Sequence, residues 1–273
     1  MMDFSKMHGA GNDFIIVDNR YLAIKDKMPL VKKICHRHFG VGADGFMFVE
    51  ESDSCDIKMS FYNSDGSEAT MCGNGIRCFS KFIFDKKIIS KREFTVETGD
   101  GIKNITMIMN SPKESIISVG MGNWKGYINP DNKEIQTKHI KVDRVTFEVH
   151  CLHMGVPHAV IFVDRIDEKT TCHYGKEIER NPLFADGINV NFVKIIDQNH
   201  LQVDTWERGA GKTLACGTGV CASAVIAHIK RNTNSEVEAT VAGGILRILI
   251  DNEGFVTMEG NAINICEGKV QIE

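Results

Sequence analysis

The sequence predicts an α+β protein of two pseudo-symmetric domains from an internal duplication, each a set of mostly antiparallel strands wrapped around a central helix. Three observations carry that expectation. Short runs rich in β-branched and aromatic residues, with Gly, Asn and Asp between them, dominate the chain. Only two segments, residues 73–84 and 217–230, keep a continuous apolar helical spacing. Those two segments occupy the same place in two halves that repeat one another.

In chain order, strands are expected at Phe14–Val17, Phe46–Glu50, Ile57–Tyr62, Phe94–Glu97, Ile102–Met109 and Ile116–Val119. The second half repeats the habit at Thr146–Cys151, Ala159–Val163, Asn189–Ile195, Leu201–Thr205, Ile245–Ile250 and Phe255–Glu259. Short helices are expected at Leu30–Phe39 and Tyr174–Arg180. In the helix from Gly73 to Phe84, Ile76, Phe79 and Ile83 stand three and four apart; within Gly217–Lys230, VCASAVIAHI is apolar nearly all round and predicts a helix enclosed on every side.

The repeat is read by placing FYNSDGSEATMCGNG (61–75) over TWERGAGKTLACGTG (205–219), where strand, polar turn, Cys-Gly-x-Gly and helix coincide. The offset between the cysteines, 216 minus 72, is 144, and IIVDNR against IFVDR and ETGDG against VAGGI fall at 145 and 144. Domains are therefore expected at 1–116 and 117–263, meeting near NSPKESI, with a final strand at 264–273 returning to the first. A small-molecule site is expected in the cleft between them.

Composition narrows the partners. The 273 residues are 42% hydrophobic and 25% charged with a net charge of −4, and no run of five or six like charges marks a nucleic-acid or membrane surface. The start, MMDFSKMHGAGNDF, lacks a cationic stretch followed by an apolar run, and nowhere do eighteen apolar residues stand together, so a cytoplasmic location is expected. Nine scattered cysteines without a C-x-x-C pair suit neither a disulfide framework nor structural zinc; no metal is expected, and most cysteines, Cys78 and Cys221 among them, are expected to be reduced packing residues.

Cys72 and Cys216 differ from the rest, because each precedes a glycine-rich helix start. The positive end of a helix dipole can lower a thiol from ~8.5 towards ~3.5–7.5 and so supply thiolate near neutrality; one of the two is expected as thiolate and the other as thiol, and which is which stays open. Gly73 and Gly217 leave first-turn N–H groups open to a substrate carboxylate. Two facing thiols can invert a carbon: one removes its proton and the other returns one to the opposite face, without a cofactor. Preorganised donors, each worth ~3–4 kcal/mol in the transition state, would hold the charge that develops.

With these residues in view, the chain resembles the diaminopimelate epimerase family nearly end to end. FSKMHGAGNDFIIVDNR, GVGADG, FYNSDGSEATMCGNGIRC, DGINVNFV, TWERGAG and ACGTGVCAS resemble its motifs in its order. The resemblance implies a cofactor-independent isomerase interconverting LL- and meso-diaminopimelate, the family's two-halved fold and a homodimer. It implies that Cys72 and Cys216 are the two bases and that Gly73, Asn74, Gly217 and Thr218 hold the reacting carboxylate. Asn12 and Glu207 match groups near the reacting amine, Glu207 with His158 tunes the thiols, and Asn63, Asn189 and Arg208 grip the distal amino-acid end. One position departs: the family usually has Gly-Asn-Pro-His where this chain has Gly155-Val156-Pro157-His158, and Val cannot make the distal hydrogen bond. Two substrates stay open on this ground, diaminopimelate in a compensated pocket and another amino acid.

Other readings compete. GVGADG fits a dinucleotide turn, but helical HRHF precedes it and a strand follows, the reverse of that fold, so a structural turn is expected. GAGKT (209–213) has Trp206 where a phosphate loop needs its first glycine. His36-x-His38 and His150-x-x-His153 lack a third ligand at a suitable spacing. Asn12, Asn63 and Asn189 also suit turns, the commonest work of Asn beside Gly or Asp. A non-catalytic amino-acid binder of the same fold and a pyridoxal-phosphate racemase are the alternative classes, the latter without a lysine in a recognisable Schiff-base setting.

Overall fold

The computed structural model describes residues 1–22 and 24–271. The chain divides into two compact units, Met1–Val119 with the segment from Glu259 onward, and Gly120–Met258.

Unit 1 runs β1 (Met2–Gly9), β2 (Asn12–Asp18), α1 (Lys27–Cys35), β3 (Gly45–Glu50), β4 (Ile57–Asn63), β5 (Glu68–Ala69), α2 (Gly73–Asp85), β6 (Glu93–Thr98), β7 (Gly101–Asn110) and β8 (Glu114–Asn123), which carries the chain into unit 2. Most pairs are antiparallel; β2–β3 and β4–β6 are parallel. Residues 13–17 of β2 are all buried, because the strand is covered on both faces. Ile15 and Val17 join Phe46 and Phe48 of β3 and Val31, Ile34 and Cys35 of α1. Beyond that cluster, α2 packs on β1, β2, β3 and β7. Each such apolar side chain contributes roughly 1.5–3 kcal/mol by leaving water. Everything from Gly73 to Ile83 in α2 is buried, Arg77 and Lys81 included. These cations are satisfied: Arg77 donates to Gly73 O (2.9 Å), Asn74 Oδ1 (3.0 Å) and Asn261 O (3.1 Å), and Lys81 to Ser111 O (2.7 Å) and Asp85 (2.8 Å).

Unit 2 runs β9 (Lys125–Gly126), β10 (Gln136–Val142), β11 (Val145–Met154), β12 (Val156–Phe162), α3 (Glu168–Glu179), β13 (Asn189–Ile195), β14 (His200–Glu207), β15 (Gly211–Lys212), α4 (Gly217–Arg231), β16 (Glu236–Val241), β17 (Gly244–Ile250) and β18 (Phe255–Val270), which returns the chain to unit 1. Its pairing repeats that of unit 1. β12–β13 and β14–β16 are parallel, as β2–β3 and β4–β6 are, and the hairpins β13–β14, β14–β15 and β16–β17 match β3–β4, β4–β5 and β6–β7. Ala159, Ile161, Val190 and Phe192 pack with Ile178 of α3, while α4 packs on β11, β12, β13, β14, β16 and β17. Residues 219–227 of α4 are all buried, as the all-round apolar sequence requires.

Several elements differ from their sequence expectation. The expected Leu30–Phe39 helix starts earlier and ends at Cys35, so His36–Phe39 is not helical. His36 turns extended, its Nδ1 accepts the His38 and Phe39 N–H groups, and Val41 and Gly42 N–H groups satisfy Ile34 O. Helix α3 starts at Glu168, six residues before Tyr174, because Asp167 caps it by accepting the Lys169 N–H (3.1 Å). Strands β1, β5, β9, β10, β15 and β16 had no sequence expectation; β5, β9 and β15 are only two residues long, and β10 and β16 each carry two charged residues. From Ile263 to Val270, β18 pairs antiparallel with β1; of the terminal piece expected to 273, Gln271 lies past the strand and the last two residues lie outside the described residues.

Candidate active site

In unit 1 the candidate residues gather at the start of α2. Cys72 is the extended residue before the helix (φ −139, ψ 123), its carbonyl accepts the Ile76 N–H, and no side chain caps the terminus. The half-buried thiol lies 3.6 Å from Asn12 Oδ1. Asn12 is aimed by its other end: Nδ2 donates to Asp44 Oδ2 (2.8 Å), and a carboxylate only accepts, so Oδ1 must face the sulfur. Arg37 binds both Asp44 (2.6 Å) and Asp13 (2.8 Å). Burial pushes Asp13 up, but hydrogen bonds from Arg37, Lys6 and the Asp44 N–H outweigh it and bring the carboxyl down to about 2. Gly73 and Asn74 are buried, and Arg77 holds the Gly73 carbonyl and the Asn74 side chain from behind. Asn63 is exposed at the end of β4, where its amide donates to Ser67 Oγ (3.0 Å) within the β4–β5 turn.

In unit 2 the corresponding cysteine is more enclosed. Cys216 is extended (φ −114, ψ 105), its carbonyl accepts the Val220 N–H, and α4 too has no side-chain cap. Its sulfur lies 3.6 Å from Thr218 Oγ1 and is hydrogen-bonded to the Glu207 carboxylate, whose Oε1 accepts from Thr213 Oγ1 (2.6 Å). Thr218 Oγ1 lies 3.0 Å from His158 Nε2. Cys216, Thr218, His158 and Glu207 are thus one connected set. Asn189 and Arg208 form another: Asn189 Oδ1 accepts the Arg208 N–H (3.0 Å), Asn189 Nδ2 donates to Pro157 O (3.0 Å), and the exposed Arg208 guanidinium donates to Asp186 O (3.0 Å). Gly217 is buried at the first position of α4, and Val156 opens β12 just after Gly155, at φ +73.

A helix start can lower a thiol, yet Cys216 stands well above the ordinary cysteine value: burial is the largest cause and the Glu207 charge adds to it, while the Thr218 hydroxyl and the Gly219 N–H pull the other way. Glu207 is itself raised, chiefly by burial. In this setting desolvation exceeds the helix dipole, and Cys216 holds its proton. His158 is fully buried, and burial, aided by the nearby positive charges of His153 and Arg208, holds it down at about 3, a neutral ring at physiological pH. Cys78, inside α2, is pushed up to about 12 by burial.

The competing motifs have ordinary roles. GVGADG forms the loop into β3 that presents Asp44. GAGKT forms the β14–β15 turn, and Lys212 pairs with Asp204 at 2.8 Å. His36 caps its own turn, and His150 is buried beside Thr137 Oγ1 (3.0 Å). Among the described residues no group of three or more His, Cys, Asp or Glu stands ready for a metal ion, and no helix is long and apolar enough to cross a membrane. Sequence reading missed Asp44 and Arg37, which aim Asn12, and Asn191 and Thr205 behind His158. Asn191 had a signal: it lies two residues from Asn189, on one face of a strand otherwise built of core residues.

Comparisons with known proteins agree along the whole chain. The sequence model described as diaminopimelate epimerase matches residues 4–125 and 150–265. A diaminopimelate epimerase of Clostridium perfringens is 47% identical over 276 residues, covering 98% of each chain. One of Alkaliphilus metalliredigens is 43% identical over 271 residues, covering 97% of this chain and 96% of its own. Among solved structures, a probable proline racemase from Agrobacterium radiobacter shares the fold at a TM-score of 0.74 and 12% identity, covering 100% of this chain and 94% of its own. By motif order, family match and full-length identity, this chain belongs to the diaminopimelate epimerase family.

Proposed function

We propose that the chain is an isomerase that inverts the α-carbon of LL-diaminopimelate to give the meso form, using two thiols and no cofactor. The observation that carries this reading is the matched pair of helix starts: Cys72 and Cys216 each stand one residue before a long buried helix that begins with glycine and has no side-chain cap. First-turn N–H groups of α2 and α4 are suited to a carboxylate, which spreads charge as the adjacent carbon loses its proton. In the forward direction Cys72 takes the α-proton, and Cys216, which burial and Glu207 keep protonated, returns one to the other face. Asn12 steers the Cys72 sulfur, Glu207 and His158 set the state of Cys216, and Asn63, Asn189 and Arg208 hold the distal end of the substrate.

The reading requires both sulfurs to reach one carbon. It also takes the two units as copies of one duplicated domain, strands wrapped about a central helix, in a cytoplasmic homodimer serving lysine and peptidoglycan-precursor synthesis. Val156 favours a second reading, a relative with altered distal specificity, because an apolar side chain stands at the head of β12 where a distal amide donor is needed. The test is Cys72→Ala and Cys216→Ala beside Cys78→Ala. Each of the first two abolishes inversion and the third costs packing alone; near-normal epimerisation by either of the first two ends the two-thiol mechanism.

A further inference from the structure

Behind Cys216 lies a buried polar group whose place in unit 1 is taken by an apolar side chain. Asn191, fully buried on β13, makes three contacts: Oδ1 accepts from Thr205 Oγ1 (3.0 Å), and Nδ2 lies 3.1 Å from Ala159 O and 3.2 Å from His158 Nδ1. In unit 1 the position under the helix start is taken by Met47, whose methyl end faces Gly75 as the Asn191 amide faces Gly219.

The directions of these bonds follow from valence. Ala159 O can only accept, so the atom facing it is the amide nitrogen, and the same N–H₂ group faces His158 Nδ1. Nδ1 must therefore accept, and the proton of the ring sits on Nε2. Nε2–H then donates to Thr218 Oγ1 (3.0 Å), leaving the single hydroxyl hydrogen of Thr218 for the Cys216 sulfur at 3.6 Å. We infer that Asn191 is a positioning residue: by fixing the His158 tautomer it turns the Thr218 hydroxyl towards Cys216, so that a hydrogen bond is ready for the thiolate each time Cys216 gives up its proton. This deepens the reading of the same site given above. With the amide reversed or replaced by an acceptor, the proton moves to Nδ1, Nε2 becomes an acceptor, and Thr218 donates to the ring instead of the sulfur. The other charged or titratable groups acting on this hydrogen-bonded set are Glu207, at Cys216, and His153 and Arg208, near His158.

The test uses the full chain carrying Cys72→Ala, with and without Asn191→Asp. Long-range ¹H–¹⁵N spectra, assigned by His158→Gln, read the tautomer, and the pH dependence of iodoacetamide alkylation, followed on the Cys216 peptide by mass spectrometry, reads the thiol. The expected result is Nε2–H in the parent, Nδ1–H in Asn191→Asp, and a rise of about one pH unit in the alkylation midpoint, the tenfold change that loss of a hydrogen bond to a charged group produces. Thr205→Val, which releases the amide without adding a charge, moves both readouts the same way by less and serves if Asn191→Asp does not fold. A folded variant that keeps Nε2–H and an unchanged alkylation profile overturns the inference. Neither readout needs turnover, so the shifts described in the Cys72→Ala background, found beside a wild-type chain that exchanges no amino-acid α-proton, defeat the proposed function and leave the positioning role standing.

Discussion

Gly219→Ala is the sharpest single perturbation the structure offers. A Cβ at Gly219 would overlap Asn191 Oδ1, and that amide is locked by Thr205, Ala159 O and His158. Either α4 lifts off β13 or the amide abandons its bonds. Overpacking of this kind costs roughly 1–3 kcal/mol, and stranding a buried polar partner costs a further ~1–3 kcal/mol. Alanine returns ~1 kcal/mol of helix propensity over glycine, which leaves a net loss of roughly 1–5 kcal/mol. Gly75→Ala in α2 is the control, since its Cβ would overlap the terminal methyl of Met47, the far end of a flexible side chain that can rotate away, and would meet Cys72 Cβ (3.4 Å) and the Phe14 ring (3.5 Å) at ordinary contact distance. Its net cost is about 0–1 kcal/mol. Urea unfolding followed by circular dichroism at fixed pH measures both. Equal midpoints for the two variants would show that the Asn191 group is not the rigid element described.

Three further outcomes are expected. Val156→Asn restores a distal hydrogen-bonding group; kcat/KM for LL-diaminopimelate rises if the pocket lacks a partner, by up to about tenfold for one hydrogen bond, and a fall would show that the apolar side chain is part of a compensated pocket. Glu207→Gln removes the negative charge that helps hold the proton on Cys216, so the alkylation midpoint of Cys216 in the Cys72→Ala background moves to lower pH; an unmoved midpoint contradicts that assignment. Asp13, depressed from 3.8 to about 2, adds stability that is complete above pH 3.8 and is lost as the pH falls towards 2. Because the Arg37 side chain is 54% exposed, the contribution is discounted to ~1–2 kcal/mol, and Asp13→Asn should flatten the acid limb of unfolding by that amount.

The long helices and most core strands were legible because burial on one face or all round writes a period into the sequence. α4 was found within one residue at each end, since VCASAVIAHI leaves no polar face to misread. α1 ran past its end because HRHF continues a plausible helical pattern, and only the His36 side chain, bonded back to two backbone N–H groups, shows the turn. The place of both cysteines at helix starts was legible from their glycines, but the protonation of Cys216 was not. The helix dipole is a local feature of chain order, whereas the burial of Cys216 and the approach of Glu207 from β14 are tertiary. Asn12 stood out in the sequence as a candidate, yet the Arg37–Asp44 arm that aims it could not be read there, since Asp44 lies 32 residues away on a loop.

The central claim is that a thiol pair exchanges the α-proton of an amino acid. Incubation of the reduced, folded protein with LL-diaminopimelate in D₂O, followed by ¹H NMR and mass spectrometry, tests it most directly. The account predicts deuterium at one α-carbon appearing together with the meso isomer, and loss of inversion in Cys72→Ala and in Cys216→Ala. Absence of α-deuterium in the wild-type reaction, with the protein shown to be folded and its thiols free, would contradict it.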